Sequence, residues 1–506
     1  MNFSFFLENE EATILFAQDL ALALKSGDLV TFQGDLGAGK STLIRALIRT
    51  LANNCTMDIP SPTFTLVQSY QLPQFEVLHA DLYRISSIEE MDELGLHESR
   101  KDNILLIEWP EKGAEVLGPV TFAITLQYKG CGRHITLDSA EHATERLQRS
   151  FAIRTFLITH GRRHIQRRFL AGDASARSYE LLDDGNHQEV LMNAPTMQMA
   201  QNVDSSYVET THLAKDISQF VGISQIILEN GFSAPRIFAK DLENGILILE
   251  DFGCEGLLDQ SGNPIEERYI ACSELLATFH QKSWPLKKKF ATFQLQIPFY
   301  DCQAMRAELS LLLDWYLPFQ QKKTLNIKQR ETFFTCWQPY LDLLTQGENT
   351  FVMRDYHSPN ILWREHKKGI DRIGLIDFQD GVSGPTVYDL VSLAQDARLF
   401  IPPELENKIF NTYCSVRHQA PRPFDEDEFR KLYVLAGTQR VSKILGIFVR
   451  LHQRDGKSFY LKYLPYLQNY LIRNLSHPIL SPLQSLYQEM GLLSESEALN
   501  RDILNA

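Results

Sequence analysis

Two separated stretches of this 506-residue chain carry residue types at spacings suited to phosphate chemistry. The first is Gly34-Asp35-Leu36-Gly37-Ala38-Gly39-Lys40-Ser41-Thr42, which fits the pattern GxxxxGKS/T after the apolar run GDLVTFQG and before the amphipathic STLIRALIRTLAN. Its chemistry is a nest of backbone N–H groups. Glycines let the chain curl around a β-phosphate, the helix N-terminus adds partial positive charge, Lys40 bridges phosphates and the Ser41 hydroxyl suits Mg²⁺. Gly34, Gly37, Ala38, Gly39, Lys40, Ser41 and Thr42 are the expected nucleotide contacts. A nucleotide hydrolase also needs strand-end acids to hold the metal and orient water. Asp81 after FEVLHA and Glu108 after NILLI stand in that place, the alternative for each being a plain surface carboxylate. The hydroxyls of Ser61-Pro62-Thr63-Phe64-Thr65 suit either γ-phosphate sensing or an ordinary turn.

The second stretch is FVMRDYHSPNILW, followed by the apolar Ile373-Gly374-Leu375-Ile376 and then Asp377-Phe378. An Asp and an Asn five residues apart in a loop, then an Asp at a strand end, is the layout of a phosphoryl-transfer loop. Asp355 is the expected proton acceptor from an attacking hydroxyl, with Asn360 and Asp377 holding Mg²⁺ against ATP phosphates. The alternative makes Asp355 and Asn360 turn residues and Asp377 a helix cap. Upstream, LAGDASAR places Gly172 and Ser175 between a helix and a strand, as a small-residue cover for phosphates. The strand EVLMNA has Met192 where a phosphate-binding Lys is expected, and Arg177 is the proposed substitute. Glu250-Asp251 end GILILEDFG where a chain crosses between lobes, so their backbone suits adenine. His357 reads as structural rather than a second acid–base group. Asp380 suits substrate binding or capping equally.

The elements that must position these residues fall into two sets. Residues 1–145 alternate strand and helix text and close on a hairpin, TFAITLQYKGCGRHITLD, which predicts an α/β P-loop domain ending near Asp138. EHATERLQRSFAIRTFLITHGRRHIQRR reads as one helix joining this unit to the next. Residues 152–500 then predict a bilobal α+β unit: the short strands RSYELL, EVLMNA and GILILEDFG, and a helical lobe starting at IEERYIACSELLATFHQ. The net charge of −13 is concentrated at the front, where residues 1–150 hold 12 basic and 21 acidic side chains, and it opposes direct nucleic-acid binding. No basic, apolar leader and no membrane-length apolar run is evident, so a cytoplasmic protein without a membrane partner is expected. Seven cysteines without CxxC spacing argue against a zinc site or a disulfide framework and predict buried free thiols.

GDLGAGKST, SPTFTLVQSY, HADLYRI, ELGL and LIEWPEKG, in this order, resemble the TsaE family of ATPases that support bacterial tRNA threonylcarbamoyladenosine synthesis. The resemblance covers residues 1 to about 140. It implies ATP and Mg²⁺, with Ser41 and Glu108 at the metal, Asp81 in hydrolysis and Trp109 at the same strand end. It also implies that Glu10 to Thr13 lie near the nucleotide base. The implied partners are TsaB-like and TsaD-like proteins, with tRNA reached only through their complex.

GDASARSY, LEDFG, RDYHSPNILW, IDFQDGVSGPTVYDLVSLAQDAR and TQRVSKILGIFVRLHQRDGKSFYLKYLP resemble the aminoglycoside phosphotransferase superfamily, of protein-kinase fold. Within it they resemble the AmgK group, the anomeric kinases of N-acetylmuramate and N-acetylglucosamine. The implied reaction moves the ATP γ-phosphate to the C1 hydroxyl of an N-acetyl amino sugar in cell-wall recycling. The wider superfamily has HGD where this chain has Met353-Arg354-Asp355, a departure that RDYH of the AmgK group accommodates. An aminoglycoside or choline-like alcohol remains the competing acceptor. A non-catalytic binding module is the competing class, and retention of Asp355, Asn360 and Asp377 argues against it.

Overall fold

The computed structural model describes residues 1–72, 75–113, 118–172, 177–195 and 205–493. It divides into two compact units, Met1–Ala194 with Phe238–Glu250, and Pro195–Ile237 with Asp251–Ala506.

The first unit opens with β1 (Asn2–Leu7), α1 (Glu10–Ala21), β2 (Leu29–Gln33) and α2 (Lys40–Leu51). There follow β3 (Val67–Gln71), β4 (Glu76–Asp81), α3 (Ile88–Glu93), α4 (Leu96–Ser99), β5 (Asn103–Glu108), β6 (Phe122–Lys129) and β7 (Gly132–Ser139). The seven strands form one sheet in the order β1-β7-β6-β2-β5-β4-β3. LVTF of β2 and ILLIE of β5 are buried throughout, as interior parallel strands covered on both faces must be. β2 lies parallel to β5 and β6, and β5 parallel to β4, which sets Phe32 and Asp81 on either side of Glu108. The two acids therefore share one sheet edge with the start of the glycine loop. Leu43, Ile44, Leu47 and Ile48 of α2 pack against that sheet at helical spacing.

The joining segment departs from its expected form. Helix α5 spans Glu141–Thr159 only; the chain turns at Gly161 (φ +77°), and Gln166–Gly172 is strand β8. Ile165 and Arg167 are buried on alternate residues, a strand period that an arginine at an inward position hides. LAGDASAR accordingly lies between two strands, β8 and β9 (Ser178–Asp183), instead of between helix and strand. With β10 (Gln188–Asn193), β11 (Ile237–Asp241) and β12 (Ile246–Glu250) these form a second sheet, ordered β11-β12-β10-β9-β8. Helix α5 serves both sheets. Ala143 and Leu147 belong to the core of the seven-stranded sheet, while Ile153, Phe156 and Leu157 pack with Ile165, Leu182, Leu191, Ile246 and Ile248 of the five-stranded one.

The second unit is mainly helical. Two short strand pairs, Asn349–Val352 with Val382–Pro385 and Ile361–Trp363 with Ile373–Leu375, frame the loops that carry Asp355, Asn360 and Asp377. The helix Glu426–Asp455 is long and apolar enough by composition to cross a membrane, yet 83% of its most apolar window is buried inside the protein, as a core helix would be. The cysteines are free, but only Cys272 and Cys414 are buried; Cys55, Cys131 and Cys254 sit exposed outside the helices and strands, against the expectation of burial.

The core helix closes tightly on its neighbour at Gly446, where an added Cβ would come within 2.3 Å of the Leu311 backbone. Gly446→Ala is expected to destabilise the protein by about 1–3 kcal/mol through overpacking, measured as a lower denaturant midpoint of unfolding.

Candidate active sites

In the first unit the glycine loop takes the backbone that its sequence requires. Gly34, Gly37 and Gly39 have φ of +145°, +79° and +105°, and a Cβ at Gly34 would lie 2.4 Å from the Leu126 carbonyl oxygen. Gly39 caps α2 without a side-chain hydrogen bond, so the first-turn N–H groups of α2 are presented to the loop. The Lys40 ammonium donates to the carbonyls of Gly34 (2.7 Å) and Asp35 (3.1 Å) and lies 3.8 Å from the centroid of the Trp109 ring. Trp109 holds left-handed backbone (φ +58°) directly after Glu108, which turns its ring back onto the lysine. Burial lowers the Lys40 pKa, against the opposing pull of Glu108, Asp81, Glu111 and Asp35.

The Ser41 hydroxyl lies 3.3 Å from both carboxylate oxygens of Glu108, joining the two predicted metal ligands. Asp81, buried and in register with Glu108, accepts the Tyr83 N–H at 3.0 Å. Thr13 and Glu10 of α1 share a cleft of about 180 Å³ with Gly39, Thr42 and Arg133. Two residues escaped the sequence reading. His79 is buried, with Nε2 3.0 Å from Glu108 Oε1, and Arg133 Nε donates to the Ala38 carbonyl at 2.8 Å. His79 stands two residues before Asp81 and so shares its strand face, a signal available in HAD; Arg133 comes from a distant hairpin and left none. Ser61 and Thr63 are hydrogen-bonded to each other at 3.0 Å.

In the second unit Asn360 links the other two predicted residues. Its side-chain amide donates to the Asp355 carbonyl (3.1 Å) and the Asp377 carboxylate (3.3 Å). Asp377 also accepts from Gln379 at 2.8 Å and, like Arg354, has left-handed backbone, with φ of +58° and +68°. Buried acids from the following helix and from just past its end hold the loop. Asp389, with no exposed surface, accepts the Met353 and Arg354 amides at 2.7 and 2.9 Å, and Asp396 accepts both the amide and the hydroxyl of Ser358. Asp380 accepts the Ala214 N–H at 2.6 Å, so it caps a neighbouring segment. In the first unit, Arg177 and Glu250 are half-buried beside β9 and at the end of β12, and Met192 is buried in β10. Ser175 lies outside the described residues.

The comparisons with known proteins divide the chain at the same place as its chemistry. A family model described as "Phosphotransferase enzyme family" matches residues 166–430, more than half of the chain. The chain belongs to this phosphotransferase family. Residues 7–135 match the model "Threonylcarbamoyl adenosine biosynthesis protein TsaE". The N-acetylmuramate/N-acetylglucosamine kinase of Pseudomonas aeruginosa is 31% identical over 309 residues, covering 60% of this chain and 81% of that one. Its namesake from Caulobacter vibrioides is 28% identical over 354 residues, covering 67% and 96%. The TsaE protein of Rickettsia felis is 43% identical over 121 residues, covering 24% and 70%. The chain is thus a fusion of a TsaE-type ATPase domain with an ATP-using phosphotransferase whose acceptor is an alcohol.

Within the phosphotransferase part the structure accounts for the departure from HGD. Position 354 has the left-handed backbone that glycine adopts freely, and Arg354 is kept there by burial against Glu308 and by donation to the Thr211 carbonyl at 2.9 Å. Glu308, fully buried, also holds Lys443 at 2.8 Å and accepts from Gln439 at 3.0 Å. Burial pushes its carboxyl up, but Lys443 and Arg354 more than offset this and bring it down to about 2. Asp355 likewise stays below its ordinary value: burial raises it, and the neighbouring positive groups, His357 first and then Lys443, Arg354 and Arg440, outweigh burial.

His357 is brought down to about 4 by burial and by Arg398, which donates to its Nε2 at 3.4 Å. A neutral, buried imidazole beside the loop fits a structural role. At pH values between 6.5 and about 4 the unfolded chain carries a proton here that the folded chain does not. Its stability contribution is full above pH 6.5 and is lost as pH falls through that window. His357→Gln is expected to flatten the decline of the thermal midpoint between pH 6.5 and 4, measured by calorimetry in matched buffers.

Proposed function

We propose that the C-terminal half transfers the γ-phosphate of ATP to the C1 hydroxyl of N-acetylmuramate or N-acetylglucosamine, returning recovered wall sugars toward a uridine diphosphate precursor. The N-terminal half hydrolyses ATP in support of tRNA threonylcarbamoyladenosine modification, docking on TsaB-like and TsaD-like proteins and meeting tRNA only through them. The reading is carried by the Asp355, Asn360 and Asp377 constellation, held on buried carboxylates and lying in a stretch similar to kinases of these two sugars. An ionised Asp355 accepts the C1 hydroxyl proton as the sugar oxygen bonds to phosphorus and the bond to the β-phosphate oxygen breaks. The anomeric hydroxyl is more acidic than an ordinary alcohol, so a carboxylate base suffices.

Asn360 and Asp377 supply hard oxygen donors 17 residues apart in sequence yet in contact, and Ser41 and Glu108, 67 residues apart, do so in the other half; both pairs suit Mg²⁺. Bound there, Mg²⁺ neutralises charge on the phosphate oxygens. In the sugar kinase, Gly172 and Ser175 cover the phosphates, Arg177 stands in for the missing lysine and Glu250 marks the adenine side. In the ATPase, the glycine loop from Gly34 to Thr42 cradles phosphate, Asp81 and Glu108 orient water, and Thr13 lies near the base.

The test incubates purified protein with Mg·ATP and either sugar and follows the products by mass. Sugar 1-phosphate should form, fall at least 100-fold in Asp355→Ala, and persist in Lys40→Ala, whose sugar-independent ATP hydrolysis should be lost instead. Absence of sugar phosphate with the unaltered protein would overturn the sugar-kinase reading.

A further inference from the structure

The joint between the two halves contains a polar cluster that neither phosphate site uses. Asp19 lies in the last turns of α1, the helix whose first turns bring Glu10 and Thr13 to the nucleotide cleft of the ATPase. Its side chain is 5% exposed and meets two arginines. Arg154 of α5 donates through Nε to both carboxylate oxygens at 3.0 Å, and Arg167 of β8 donates through Nη1 at 2.6 Å. Arg167 has no exposed side-chain surface. It forms a two-point pair with Glu180 of β9 at 2.7 and 2.9 Å and also donates to the Ser150 carbonyl at 3.0 Å. Gln18, beside Asp19, accepts the Arg167 backbone N–H at 3.2 Å, and the Asp19 carbonyl accepts the Ser150 hydroxyl at 2.6 Å. Desolvation by burial favours discharging Arg167, and the Glu180 and Asp19 carboxylates reverse this and raise its pKa above the ordinary value.

Two features make this cluster more than packing. A buried guanidinium with two carboxylates is strongly directional, so it fixes β8 in register as an apolar contact cannot. And β8 is the strand that ends at Gly172, while β9 begins one residue after Arg177. Both residues stand among the phosphate contacts of the proposed kinase.

We propose that Asp19, a residue of the ATPase half, is a positioning residue for the kinase half: through Arg167 and Arg154 it sets strands β8 and β9, and with them the residues that receive the ATP phosphates. The kinase function in this statement rests on the reading above; the structural tie does not. Its consequence is that the ATPase domain is the base on which the small kinase sheet is built.

The test uses full-length protein with Asp19→Asn, which keeps the shape and removes the charge. Peptide-resolved hydrogen exchange should speed up at least 10-fold in 166–172 and 178–183, with the helix Glu426–Asp455 unchanged, and the KM for ATP in sugar phosphorylation should rise at least 5-fold with kcat within 2-fold. Should Asp19→Asn fail to fold, Arg154→Gln removes one of the two arginine partners and should show the same pattern at smaller amplitude. Faster exchange confined to α1 and α5, with β8, β9 and the KM for ATP unaltered, would overturn the proposal. If the unaltered protein phosphorylates neither sugar, the kinase reading fails, while the exchange measurement still decides the tie.

Discussion

The Asp389 carboxylate, with no exposed surface, accepts the amides of Met353 and Arg354, and this grip anchors the start of the loop that carries Asp355 and Asn360. A loop outside the strand and helix ladders must leave its own N–H groups to other partners, and a buried carboxylate provides a charge-assisted pair of acceptors for two of them. With those amides held, Asp355 projects from the loop, and Asn360 can bond back to the Asp355 carbonyl and across to Asp377. The left-handed backbone at Arg354 and Asp377 persists because the surroundings determine it so fully. Asp396, just past the same helix, accepts the amide and hydroxyl of Ser358 in a similar way.

The same rule governs the other half. Glu108 ends an interior strand, where a carboxylate is costly unless it is bonded, and Ser41 and His79 provide the partners. Parallel pairing sets Asp81 opposite it and β2 on its other side, so the acids and the glycine loop meet without any contact being close in sequence. Lys40 rests on its own loop and the Trp109 ring, with Glu108 and Asp81 among the acids around it. At the joint, Asp19 and Glu180 hold a buried group too, here by opposite charge, which keeps the Arg167 guanidinium in the interior.

The phosphate loop was legible because its chemistry is made by consecutive residues: glycines, a lysine and a hydroxyl are enough to specify the nest, and an apolar run before it and an amphipathic run after it place it between strand and helix. Asp81, Glu108, Asp355, Asn360 and Asp377 were legible for a related reason, since each closes an apolar run or sits at fixed spacing in one short loop. The helix predicted through the joint failed at its second half, where Arg167 and Arg168 look like helix-end cations and are strand residues. A buried arginine conceals the two-residue period on which a strand is recognised. Asp380 stood equally for substrate or a cap of the following turn, and the structure adds a partner that no spacing shows, the Ala214 amide 166 positions away.

The chain by itself determined the glycine loop and the spacing of the acids proposed to meet phosphate, because these depend on neighbours in sequence. Only the tertiary structure decided which buried polar groups support them. His79, Glu308, Asp389 and Asp396 act through partners brought close by sheet register and helix packing, and so does the tie from Asp19 to Arg167 across 148 positions. A carboxylate's text is the same whether it faces water or a buried guanidinium, and its role follows from the desolvation that only packing imposes.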